Sequence, residues 1–472
     1  MDLENTILSS IEANSKLLGN LEKDIWDHPQ VGFYEDYAAQ LLSTLLEKSG
    51  FRAMRQVAHL PTAFVAEWGS GSPTIGILGE YDALPGMSQQ VKAVKRPVEP
   101  GAPGHACGHN LLGVAGIGAI LALKQAIETQ GIQGTLRYYG CPAEETLIGK
   151  VFMAREGAFD DLDAALTWHP FYLNTLWNSR SMAMNSVKLN FHGVSAHAAN
   201  APHLGRSALD AVMLTEVGVN FMREHMIPDA RIHCVVTHGG EAPNIVPCYA
   251  QVWYYVRAPK RPQVDELHQR LLNIAEGATL MTETTHDVEL IAGCYDFMPN
   301  QVLNRVVMNR MRQLGPPEFD GDEIELATQL RDSLPEGQVK STIEGYRLSE
   351  TEVGNPLCTA IVESAGGFRE GEVMAGSTDV GDVSYIVPTG QFTTCCMPLG
   401  APIHSWQSCA SAGSGIGYKG MLLASKVLAL TGLDLLTNPG LLSEAKAELD
   451  HVTGGKGYAS PLPDDVQPPS RS

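Results

Sequence analysis

Between residues 186 and 292 the chain runs strand, helix, strand, strand, helix, strand, and that order leaves few folds open. Residues 186–191 alternate apolar and polar positions, 231–237 and 250–256 read as strands, and 285–292 closes the series. Two helical stretches, 206–224 and 262–277, separate them. The order matches a four-stranded ferredoxin-like unit with both helices on one face.

The flanking sequence has a different character. Apolar positions at helical spacing predict helices over 5–27 and 36–49, the second stopping at Gly50. Short β-branched or apolar runs at 62–68, 74–79, 135–140 and 164–167, with a helix over 112–129, predict an α/β domain with a largely buried sheet. The loop GSTDVGDVS and the segment TTCCMPLGAPIHSWQ return to that domain, so the ferredoxin-like unit reads as an insertion. The expected division is 1–183 and 297–453 for the α/β domain, 184–296 for the insertion and 454–472 for a disordered tail rich in Pro, Gly, Ser and Asp. Residues 319–337 are acidic and predict one exposed helix.

Charge and cysteine usage narrow the function classes. A net charge of -20 argues against a nucleic-acid or anionic-membrane partner, which calls for a basic face. The N-terminus lacks a basic segment followed by an apolar run, and no apolar stretch is expected to reach membrane-spanning length. The 9 scattered cysteines do not form the framework of a small secreted scaffold, so a reducing cytoplasm is expected.

Four short segments carry the chemistry. HACGHN places Cys107 and His109 two apart in a Gly-containing loop before a helix, where thiolate and imidazole can reach one small volume. A buried Cys beside a solvent-facing His would give the same pattern. CPAEE puts Glu144 and Glu145 directly after a strand. One of them could ligate a metal while the other moves a proton, although acids at an exposed helix start read alike. TWHP ends an apolar strand in His169, at the rim where open α/β sheets place ligands, and PIHS adds His404. Cys, His, Glu, His and His from four distant segments suffice for two metal positions when a bridging group is added. A serine hydrolase is disfavoured because no G-x-S-x-G elbow is present.

With HGVSAHAANAPHLGRSALDAV and APNIVP, these segments resemble the co-catalytic metallopeptidase family of aminoacylases, glutamate carboxypeptidase and plant indole-acetyl-amino-acid hydrolases, over nearly the whole chain. The resemblance implies a catalytic α/β domain with a mixed central sheet and helices on both faces, and an inserted lid and dimerisation domain. It implies two divalent ions, Zn or Mn, on Cys107, His109, Glu145, His169 and His404, with Glu144 as general base. Asp82, in EYDAL, would orient a metal-bound imidazole. His197 of the lid would steady the oxyanion from a neighbouring subunit, and Asn244 and Arg257 would hold the substrate carboxylate. Asn110 stands where most relatives have Asp and takes no role.

The implied reaction is hydrolysis of the amide of an N-acyl or N-aroyl amino acid, p-aminobenzoyl-glutamate foremost. Indole-acetyl-aspartate, other N-acyl amino acids and dipeptides are alternatives, and the implied partner is a second copy or a related subunit. A non-catalytic partner subunit would be expected to lack a ligand or the base, and this chain has both.

Overall fold

A computed structural model describes residues 2–469. Twelve strands form two sheets: β1 (Arg52–Arg55), β2 (Phe64–Ser70), β3 (Thr74–Glu80), β4 (Gly134–Cys141), β5 (Ala164–Phe171), β6 (Asn174–Leu176), β7 (Ala183–His192), β8 (Arg231–His238), β9 (Tyr249–Ala258), β10 (Thr285–Cys294), β11 (Ile361–Val362) and β12 (Thr389–Cys395).

The larger sheet has the order β1-β2-β4-β3-β5-β12-β6-β11. Its central strands β4, β3, β5 and β12 are mutually parallel, while β2 and β6 join them antiparallel, so the sheet is mixed. β4 and β12 are buried along nearly their whole length because helices cover both faces. The parallel strands send their carboxyl ends to one edge, the place where crevices form in such sheets. Glu80, Cys141 and Phe171 end three of them there.

The smaller sheet, β10-β7-β9-β8, is antiparallel throughout. Along β9, Ala250, Val252, Tyr254, Val256 and Ala258 are buried against the helices Ala208–Arg223 and Arg261–Thr282, and the alternate residues are half-buried on the other face. Period-two burial on one covered face is what the sequence alternation predicts.

Several expectations change. The helix over 5–27 is two helices, Leu3–Ala13 and Ser15–Asp27, broken at Asn14, whose side chain turns back to Ser10 O at 2.9 Å. The helix Gly321–Asp332 is not wholly exposed, since Ala327 and Leu330 are buried. Two helices, His109–Gln130 and Gly415–Thr437, are long and apolar enough to cross a membrane, contrary to expectation. They are instead packed inside the protein, with 83% and 78% of their most apolar windows buried.

The tail over 454–472 is also not the free segment its composition suggests, as far as residue 469; 470–472 lie outside the described residues. Leu462 is buried, Tyr458 donates to Asp382 Oδ1 at 2.8 Å, and Arg155 donates to the carbonyls of Pro463 and Val466 at 3.1 and 2.7 Å. Pro and Gly keep it out of regular structure, while a few apolar anchors hold it down.

Candidate metal centre

Cys107 and His109 are brought to one side by the residue between them. Gly108 has φ 83°, and a Cβ there would meet Pro170 side-chain carbons at 3.0 Å, so both backbone strain and space favour glycine. Helix His109–Gln130 begins at once and buries His109 and Asn110.

His109 is held by Asp82: Nδ1 donates to Asp82 Oδ1 at 2.8 Å and lies 3.2 Å from its carbonyl. The other carboxylate oxygen accepts the backbone N–H of Glu145 at 2.8 Å, so one buried acid ties the HACGHN loop to the CPAEE turn. With Nδ1 engaged, His109 Nε2 faces inward and has no hydrogen-bond partner among the described residues. His169 is fixed likewise, Nδ1 donating to Pro170 O at 2.8 Å while Nε2 lies 3.3 Å from Cys107 Sγ. His404 arrives on a strained loop residue of φ 64°, its backbone N–H bonded to Ala106 O at 3.2 Å and its Nε2 3.4 Å from Glu145 Oε2.

Three donor groups result among the described residues, each with its atoms within 4.8 Å: Cys107, His109 and His169; Cys107, Glu145 and His404; and Glu80, His109 and Glu144. Cys107 Sγ is common to the first two. The buried atoms His109 Nε2 and Glu145 Oε1 have no hydrogen-bond partner among the described residues, which is costly unless a cation meets them. Thiolate, imidazole and carboxylate donors in two adjoining sets fit two divalent ions.

Burial and mutual charge shift the titration of the whole cluster. Burial lowers His169 to about 4, helped by the charge of His109, so its imidazole is neutral with a lone pair to give. Burial raises Glu145 to about 7 against the pull of His109, and raises Cys107, with Glu145 adding to the effect. Burial also raises Glu144, reinforced by the nearby carboxylates of Glu80 and Asp379. For His109 burial acts downward, but the Cys107 and Asp82 side chains outweigh it and raise the imidazole.

Glu144 is buried beside the donors, its Oε2 3.8 Å from His109 Nε2. Glu80 comes nearer, 3.4 Å from the same nitrogen, and the sequence reading gives it no role. Asn110 lies out of the cluster, donating to Glu22 Oε2 at 3.0 Å and to Ala412 O at 3.2 Å.

The remaining expected site residues stand on the smaller sheet unit. Exposed His197 accepts the backbone N–H groups of Ala199 and Asn200 at Nδ1, at 3.3 and 3.2 Å, which leaves Nε2 to carry the ring's N–H. Exposed Asn244 is its neighbour, its carbonyl accepting from Ala198 N at 3.0 Å. Arg257 is at the other end of the sheet, opposite Met184, its guanidinium 5.4 Å from the Tyr255 ring and paired with no carboxylate among the described residues. From Tyr249 to Arg257, strand β9 alone spans about 26 Å at about 3.3 Å per residue.

Paired donor sets at the carboxyl edge of this sheet fit a metal-dependent hydrolase. Residues 182–280 match the peptidase dimerisation domain of the M20 family. The chain is 41% identical over 467 residues to a p-aminobenzoyl-glutamate hydrolase component of Escherichia coli, covering 97% of each. It is 30% identical to the human Xaa-Arg dipeptidase over 92% of this chain and 88% of that one. A dinuclear metal-binding M20 peptidase from Bacillus subtilis superposes with TM-score 0.57 at 15% identity, over 90% of this chain and 99% of that one. The chain belongs to the M20 peptidase family.

Proposed function

We propose that the chain hydrolyses the amide of an N-acyl or N-aroyl amino acid, p-aminobenzoyl-glutamate foremost, with two divalent ions on Cys107, His109, Glu145, His169 and His404. The observation that carries this is Cys107 Sγ standing in two donor sets, one with His109 and His169 and one with Glu145 and His404. The thiolate favours zinc over manganese. Such ions supply Lewis-acid polarisation of the scissile carbonyl and ease the ionisation of water. Glu144, beside the donors but outside the two sets, takes a proton from the attacking water and returns it to the leaving amine nitrogen. Asp82 keeps the His109 lone pair aimed inward.

Residues 1–183 and 297–453 form the catalytic part on this reading, and 184–296 the lid. Arg257 takes the substrate carboxylate as a two-pronged donor, and Asn244 adds an amide. Arg257 stands at the end of the lid sheet next to the crossover, whereas His197 and Asn244 stand at the far end. That separation supports a reading in which His197 and Asn244 serve the site of a second copy. Exposed Val235 and Val236 on edge strand β8, and exposed Met213, Val217 and Phe221 on helix Ala208–Arg223, support a covered face there. The 9 free cysteines suit a reducing cytoplasm.

The test is a panel of N-acyl amino acids assayed with zinc-loaded, chelator-stripped and reloaded protein. Turnover on carboxylate-bearing amides that vanishes with the metal and returns on reloading supports the reading; turnover indifferent to chelation removes it.

A further inference from the structure

Beneath the donor sets lies a buried ion triad. Lys150, in the short helix Gly149–Arg155, is wholly buried and puts Nζ 2.6 Å from Glu80 Oε1 and 2.6 Å from Asp379 Oδ1. Its backbone N–H also donates to Asp379 Oδ2 at 2.8 Å. One buried cation against two buried carboxylates leaves the group with a net negative charge. Burying charge without use is expensive, and two carboxylates are more than Lys150 needs. Glu80 is the member that turns toward the site. Lys150 binds Oε1, which fixes the carboxylate and leaves Oε2 3.4 Å from the inward nitrogen of His109. At the other end of the cluster His404 is half-exposed and faces solvent beside Glu145.

We propose that Glu80, locked by Lys150 and Asp379, is a positioning residue that makes the set of Cys107, His109 and His169 the tighter of the two cation positions. The inference rests on the two-ion reading above. A carboxylate buried at this distance attracts a cation on His109 with little screening, while the half-exposed His404 end lies where water screens best. Because Lys150 holds Glu80 in place beforehand, little ordering is left for the moment of metal binding.

Zinc titration of the full chain against a chromophoric chelator, read as two binding steps, tests this. His404→Ala identifies the weaker step by abolishing it. Glu80→Gln, which leaves Lys150 paired with Asp379, is expected to weaken the tighter step by roughly tenfold or more and to leave the weaker step nearly unchanged. Asp379→Asn, which leaves Lys150 paired with Glu80, weakens the same step and decides the matter if Glu80→Gln does not fold. Equal weakening of both steps assigns the triad to the fold alone. No change, or a change confined to the step His404→Ala removes, overturns the proposal. Wild-type protein that takes up no zinc would instead overturn the two-ion reading itself.

Discussion

Asp82 accepts from His109 Nδ1 at 2.8 Å, and the same carboxylate holds the backbone N–H of Glu145 through its second oxygen. One side chain therefore sets a donor in each of the two Cys107 sets. Asp82→Ala is expected to weaken zinc binding by roughly 10- to 100-fold, because the imidazole loses its orientation and the CPAEE turn its tether. Competition against a chelator measures it; affinity within a factor of two of wild type would mean that packing alone aims the ring.

Glu144→Gln should retain both ions yet cost about 10²- to 10⁴-fold in kcat, since it removes a proton carrier and no donor from the two Cys107 sets. Metal content by mass spectrometry together with turnover checks it. A variant that has lost an ion would show Glu144 acting as a ligand.

Arg257→Ala should raise KM for substrates with a free carboxylate and hardly affect their amidated analogues. Equal effects on both would assign the guanidinium to the structure of the smaller sheet.

The two ends of the smaller sheet give a test of assembly. Glu144→Gln and His197→Ala proteins, each inactive alone, should regain about a quarter of wild-type activity when mixed. About half of random dimers are hybrids, and each hybrid has one intact site of two. Subunits shown to exchange by tagged co-purification while activity stays absent would place His197 in its own chain's site.

Glu22 gives a pH-dependent stability. Burial raises its carboxyl to about 8 from 4.5, with the Asn110 amide opposing. Between those values the folded chain holds a proton that the unfolded chain has released, so stability falls as pH rises from 4.5 through 8. Glu22→Gln should flatten this slope and raise the urea midpoint near pH 8. An unchanged slope would show Glu22 ionised in the fold.

The donors are legible because each sits in a short segment whose strand or loop context survives in sequence. Glu80 is legible as part of a motif but not as a charge in the site, because its partners are remote. Lys150 lies in GKVFMAR, where a lysine reads as an ordinary surface residue, and only the fold brings Asp379 over it. The failed tail expectation has the same origin: composition describes how the tail cannot order itself, and Leu462 and Tyr458 find their partners in residues from earlier parts of the chain. Asn110 illustrates the opposite error of scale, a departure in a motif whose consequence is a pairing with Glu22 in the core.

The donors are also ordered in time. Cys107, His109 and His169 are made long before His404, so a chain emerging from the ribosome carries all three donors of the first triplet well before the second set can close. Metal taken up during synthesis would be held at first by that triplet alone, and the second ion would have to wait for nearly the whole polypeptide.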